Sequence, residues 1–356
     1  MKCVIVTFHN VYNFGAVLQA YSLKSYLENR GHTVVFADLR TQKIKEGYRL
    51  NPFRRPVGLR TICRRMIREL PFQLPQALAF EGFARRHMGK TIGGDKKSIE
   101  KYRPDIVIVG SDQVWNNVLT GNTDVYYLPR LDKRVKKISY AASFGKKGLT
   151  AYQKKCIKEN MGSFDLISLR EDNGIREIGQ LASKEARVVL DPVFLSDKKF
   201  WSELSDSSAV RPEGDYILIY SLAFDTGAVK TAKRIAAKLK LPVMIIHPTG
   251  ARQPFRGKQL YNMGPCEFLY LIRNAALVIT DSFHGTAFSL IFGKKICCTR
   301  DMNDPRISSL MSRIDLPESC MTDICGARVF DFSKSETGGL TQIIRESESF
   351  LDSALK

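Results

Sequence analysis

The sequence predicts an α/β protein of two doubly wound domains that face each other across a cleft. Three observations carry this prediction. The 356 residues are two domains' worth at roughly 100–200 residues per domain. Short β-branched runs alternate with stretches whose apolar residues recur at helical spacing, the mark of β-α-β units and parallel sheets. The alternation comes in two series, one ending near residue 192 and the other starting near 216. With 44% apolar and 26% charged residues the composition is that of an ordinary globular protein, which excludes a disordered, collagen-like or coiled-coil chain. No apolar run approaches the roughly 18 residues of a membrane helix. The opening MKCVIVTFHN lacks the form of a cleavable signal, so a soluble, cytoplasmic protein is expected.

The elements follow in order. Residues 2–7 form a β-branched run suited to a buried parallel strand, and a polar loop at 9–15 leads into a helix from Ala16. There Val17, Leu18, Tyr21, Leu23 and Leu27 recur at helical spacing until Gly31 stops the helix. A strand over 33–37 ends at Asp38. From 40 to 103 the alternation fails: prolines at 52, 56, 71 and 75 separate short basic helical pieces, read as an insertion on the first domain. Strands at 105–109, 135–140, 166–169 and 187–190 alternate with helices at 150–161 and 172–181, and Asp191-Pro192 closes the run. The second series has strands at 216–220, 243–247, 276–280 and 295–298. Its helices are expected at 226–239, 265–274, 284–292 and after Asp304-Pro305. The domains are accordingly 1–205 with the 40–103 insertion, 206–338 as the second domain, and a terminal helix over 339–356.

Charge is unevenly spread. The net charge is +19, and residues 40–103 hold 17 basic against 5 acidic side chains, +12 of that total. Such a concentration points to a negatively charged partner: an anionic membrane face, a phosphorylated substrate or, least of the three, nucleic acid. Few aromatics interleave with the basic residues and no nucleic-acid-binding signature is present, so no nucleic-acid partner is expected. A solvated basic face without a partner has the same composition. The eight cysteines form no C-x-x-C pair and no zinc spacing; they read as buried free thiols, and no metal site is expected.

In open α/β sheets ligands bind beyond the carboxyl ends of the strands, which selects a few loops. In 280–286, T-D-S-F-H-G-T, Asp281 or Ser282 can cap the following helix. The first-turn N–H groups around Gly285 and Thr286 then suit an anion, and His284 and Asp281 are the catalytic candidates, His284 as acid or base. The same spacing serves a capped helix beside a structural histidine. Loop 110–116, with Ser111 and Asp112, follows another strand and is either a cleft loop or a turn anchored by Trp115. Asn13 and Gly15 suit a tight bend after the first strand. Arg170, His247, Arg252, Arg256 and Arg300 stand at or just beyond strand ends, as grips for phosphate or carboxylate or as plain surface charges. G-x-G-x-x-G, Walker A, G-x-S-x-G and H-E-x-x-H patterns are missing.

These residues carry a resemblance. N-F-G-A-V-L-Q-A-Y (13–21), I-V-G-S-D-Q-V-W-N (108–116), S-L-R-E-D (168–172), V-L-D-P-V-F (189–194), G-P-C-E-F-L-Y-L-I-R-N-A (264–275) and V-I-T-D-S-F-H-G-T-A-F-S-L-I-F-G-K-K (278–295) together resemble the polysaccharide pyruvyl transferase family. The resemblance implies two Rossmann-like domains in the GT-B arrangement. It implies transfer of the pyruvyl group of phosphoenolpyruvate to two hydroxyls of a sugar, as a ketal, in cell-surface polysaccharide assembly, with no cofactor. His284 matches the family's motif histidine, with a donor-binding or acid/base role. Many members carry Arg two residues earlier, where this chain has Ser282; Arg252, Arg256 or Arg300 would then supply the missing guanidinium. The acceptor is expected to be a saccharide, carried on a lipid diphosphate if the basic insertion meets a membrane. A nucleotide-sugar glycosyltransferase of the same architecture and a non-catalytic sugar- or anion-binding protein are the other readings.

Overall fold

The computed structural model describes residues 1–47, 70–128, 134–145, 148–222, 226–247, 257–299, 304–334 and 338–356, together with Arg60, Cys63, Met66, Leu131 and Asp132. The first domain holds β1 (Lys2–Val6), α1 (Phe14–Glu28), β2 (Thr33–Asp38), α2 (Gln42–Gly47) and α3 (Leu70–Phe83). It continues through β3 (Thr91–Gly93), α4 (Lys96–Tyr102), β4 (Ile106–Val109), α5 (Asn117–Thr120) and β5 (Lys136–Ala142). It ends with α6 (Ala151–Asn160), β6 (Leu166–Leu169), α7 (Ile175–Ala182) and β7 (Ala186–Val188). The strands order as β3-β2-β1-β4-β5-β6-β7, all parallel.

After α8 (Lys198–Ser205) the second domain has β8 (Ile217–Tyr220), α9 (Thr226–Leu239), β9 (Val243–Ile246) and β10 (Lys258–Leu260). Then come α10 (Pro265–Asn274), β11 (Leu277–Thr280), α11 (Phe283–Phe292), β12 (Lys295–Cys298) and α12 (Pro305–Ile314). The chain closes with β13 (Met321–Ile324), β14 (Ala327–Asp331) and α13 (Gly338–Ala354). Its sheet, β10-β9-β8-β11-β12-β14-β13, is parallel apart from the antiparallel β14 pairings with β12 and β13. Two Rossmann-like domains are therefore present, as the alternation predicts.

Several elements go beyond the sequence reading. β3 and α4 lie inside 40–103 yet belong to the first sheet, because Thr91–Gly93 pairs with Phe36–Asp38. The β13–β14 hairpin turns at Cys325-Gly326, both at positive φ (57° and 75°), the geometry whose twist matches two antiparallel strands. Cys63 and Cys325 are exposed, a correction to the buried-thiol expectation that the other six cysteines meet.

The core explains how the domains meet. Eleven of the fifteen residues of α1 are buried, so this helix is apolar on nearly every side, as a central helix must be. It lies between the domains: Phe14 stacks on Phe268 of α10 at 4.7 Å and meets Tyr220 at 5.8 Å. Trp201 of α8 packs edge-on against Phe288 of α11 and donates to Val193 O. One continuous apolar cluster includes β1, α1, β8, α10 and α11. α13 returns to the first domain, where Ser347 Oγ accepts from Leu190 N and Asp352 accepts from Tyr26 and Arg30.

Candidate active site

The carboxyl ends of β4 and β6, the segment after β7 and the β11–α11 turn bring one buried polar cluster to the domain boundary. Its centre is Asp191, fully buried, which N-caps the short turn Pro192–Leu195 by accepting from Val193 N. Its Oδ2 accepts from Ser111 Oγ at 2.7 Å and from Arg170 Nη1 at 2.7 Å. Across the boundary, His284 Nε2 stands 3.5 Å from the same oxygen. Burial pushes the Asp191 carboxyl up, but the His284, Arg170 and Ser111 contacts outweigh it and hold the group well below the usual carboxylate range.

Arg170 is itself buried. Its guanidinium lies over the Phe283 ring at 4.5 Å, and its Nη2 is 3.7 Å from Asp112 Oδ1. Arg170 Nε and Nη2, with His284 Nε2, have no hydrogen-bond partner among the described residues. Buried polar groups are normally paired, so these three atoms leave bonding capacity for a ligand. Next door, Glu171 accepts from Ser143 Oγ, Phe144 N and Gly145 N through one oxygen, while Oε2 has no partner among the described residues. Burial raises its pKa against the pull of Arg170 and Ser143. Arg306 of α12, held by Asp304 at 2.5 Å and 2.9 Å, adds a second guanidinium whose charge reaches Glu171.

Two helix starts frame His284. Ser282 N-caps α11, accepting from Gly285 N at 3.4 Å, and its carbonyl accepts from Thr286 Oγ1. Gly285 is required here, since a Cβ would lie 2.4 Å from Thr280 Oγ1. From the other domain, Asn13 N-caps α1 by accepting from Ala16 N. Gly15 follows in that first turn, where a Cβ would lie 2.0 Å from His284 Nδ1. The imidazole thus occupies the space that glycine leaves, between the N-termini of two helices from different domains.

Of the sequence-predicted residues, Asn13, Gly15, Ser111, Asp112, Arg170, Ser282, His284, Gly285 and Thr286 gather around this boundary. Asp112 takes a left-handed backbone (φ 78°). Both Asp281 oxygens are engaged on the second domain, accepting from Ser221 Oγ and Leu222 N at 2.6 Å each. His247 stacks on Tyr261 at 4.4 Å with Nε2 at 2.5 Å from Gln259 Oε1, so its ring lies in the β9–β10 region. Trp115 is a buried anchor donating to Tyr126 O. Arg252, Arg256 and Arg300 lie outside the described residues. Sequence reasoning missed Asp191, Glu171, Asp304 and Arg306. The adjacent Arg170-Glu171 pair at a strand end was the available signal for Glu171, and Asp191-Pro192 for Asp191. Among the described residues no group of three or more His, Cys, Asp or Glu is placed to hold a metal ion.

Several solved structures are similar to the chain. A putative UDP-N-acetylglucosamine 2-epimerase from Listeria monocytogenes matches with a TM-score of 0.50 at 14% identity, over 99% of this chain and 88% of that one. The UDP-GlcNAc 2-epimerase of Neisseria meningitidis, solved with UDP-GlcNAc, gives 0.46 at 13% identity, covering 88% and 86%. The glycosyltransferase SnogD from Streptomyces nogalater gives 0.37 at 12%, covering 99% and 94%. The Listeria match supports the fold alone. No curated protein matches the chain. A model of the polysaccharide pyruvyl transferase family does match, over residues 13–299, a span that runs from the Asn13 cap past His284, and the chain belongs to that family.

Proposed function

We propose that the protein transfers the pyruvyl group of phosphoenolpyruvate onto two hydroxyls of a saccharide, forming a cyclic ketal during cell-surface polysaccharide assembly. The observation that carries this reading is the unsatisfied bonding capacity of buried Arg170 facing His284 across the domain boundary. A guanidinium with free donors suits the carboxylate or phosphate of the donor. The N-termini of α1 and α11 add positive ends on the same side.

The chemistry assigns work to these groups. A proton added to the donor's methylene carbon makes a methyl group and leaves cationic character on the adjacent carbon. The first sugar hydroxyl attacks that carbon and gives up its proton. Phosphate then departs, and the second hydroxyl closes the ketal. Of the two hydroxyl protons, one is balanced by the new C–H bond and the other leaves with phosphate. His284 is the group assigned to proton transfer. Asp191, anionic beside it, stabilises an imidazolium and holds Arg170 in place. Ser282 caps α11, and in this reading Arg170 is the guanidinium that grips the donor.

Calorimetry with phosphoenolpyruvate, in the presence of saccharide acceptors, tests this reading. Binding by the native protein that is lost in Arg170→Met and His284→Ala supports it. Binding of a nucleoside diphosphate without phosphoenolpyruvate assigns a nucleotide-sugar transferase instead. Donor binding without phosphate release across an acceptor panel assigns a binding protein.

A further inference from the structure

The large exposed apolar side chains of the described residues are few, and three of them, Met66, Leu74 and Leu78, lie within one short stretch. Leu74 and Leu78 are 47% and 53% exposed on α3, four residues apart and therefore on one side of the helix. Leu70, partly buried, starts the same row.

The opposite side of α3 is already occupied. Gln76 Nε2 donates to His247 O in the second domain, Phe72 packs on Tyr261 at 4.2 Å, and Phe80 packs on Phe14 at 5.1 Å. These contacts fix the helix about its axis, so the Leu74–Leu78 side cannot turn inward. Cations outnumber acids along that side: Arg85, Arg86 and Lys90 follow the row and are exposed, against one exposed acid, Glu81, three residues beyond Leu78, which accepts from Tyr12. The surrounding stretch 40–103 carries the +12 excess described above. An apolar row bordered by cations is the pattern of a helix lying in the plane of an anionic bilayer surface, apolar side chains in the acyl boundary and cations among the headgroups. Among the described residues no helix is long and apolar enough to cross a membrane, so the contact is one of surface docking.

We propose that the outer face of α3, with Arg85 and Arg86 beside it, docks the protein on an anionic lipid bilayer. Docking there places against the membrane a helix that touches both domains. The proposal is independent of the donor assigned above.

Co-sedimentation of the full chain with vesicles decides it, using phosphatidylglycerol and phosphatidylcholine in equal parts against phosphatidylcholine alone. The expected result is binding to the mixed vesicles only, weakening as salt rises. Leu74→Ser with Leu78→Ser, and separately Arg85→Glu with Arg86→Glu, should each lower binding by about tenfold. All four side chains are exposed, so both variants should keep the native circular dichroism and melting temperature. No binding of the native chain, equal binding to both vesicle types, or full binding by both variants overturns the proposal. Light scattering that shows a dimer dissolved by the serine pair, without vesicle binding, assigns the face to a second copy and also overturns it.

Discussion

At Gly15 the backbone of one domain makes room for the imidazole of the other. A Cβ there would lie 2.0 Å from His284 Nδ1, too close for the ring to stay. Gly15→Ala is therefore expected to displace His284 while leaving α1 intact, since alanine is the better helix former. Turnover should fall about 100-fold, the scale of a displacement near 1 Å, with the melting temperature nearly unchanged. Native turnover would show that the ring position does not matter. This contact could not be read from the sequence: Gly15 and His284 are distant in the chain, and a glycine after a strand reads as a bend. His284 itself was legible, because a histidine in the first turn of a helix after a buried strand stands where ligands bind. Asp191 was not, because an Asp before Pro reads first as a turn or cap. It is a cap, and its other oxygen also joins Ser111, Arg170 and His284.

At the scale of elements, α11 shows what Ser282 does in this chain. Its side chain accepts from Gly285 N and completes the start of a helix in which nine of ten residues are buried. Ser282→Ala is expected to cost about 1 kcal/mol in chemical denaturation, and Ser282→Gly only a few tenths. Equal stability of all three proteins would show that the cap contributes nothing. The central strands and helices were legible because apolar runs bounded by turn residues leave few alternatives. β3 and β10, at three residues each, are too short for a period to show. The β13–β14 hairpin turns on Cys325-Gly326, where a non-glycine residue takes positive φ without the usual Asn or Asp signal. α3 was legible only in part: Pro71 and Pro75 read as breaks between helical pieces, whereas one helix runs from Leu70 to Phe83 through both, and its part between the domains depends on the partners of Gln76, Phe72 and Phe80, which spacing does not reveal.

Over the whole molecule, stability should depend on acidity through buried groups that take up protons less readily than in the unfolded chain. His9 is stacked on Phe36 at 4.6 Å, and burial pushes its imidazole down from 6.5 to about 4. In the unfolded chain it protonates near its ordinary value. The native state is thus favoured above that value, and the advantage is lost as pH falls through 6.5 towards about 4. His9→Phe, which cannot titrate, should lose less stability than the native protein on going from about pH 7.5 to about pH 5, by about 2 kcal/mol. Parallel losses in the two proteins would contradict it. Asp191 acts at lower pH: its depressed pKa means the unfolded state takes up a proton first as pH falls through the carboxylate range, so its contribution is present above that range and lost below it. Both groups lie a few residues beyond strand ends, His9 after β1 and Asp191 after β7.

The central claim is that the cluster at the domain boundary carries pyruvyl transfer. Mass spectrometry of a saccharide acceptor after incubation with phosphoenolpyruvate tests it most directly, with released phosphate measured alongside. The account predicts acceptor bearing one pyruvyl ketal for each phosphate released, with both signals lost in His284→Ala. Ketal formation that persists in His284→Ala, or phosphate release without any change in acceptor mass, would contradict it.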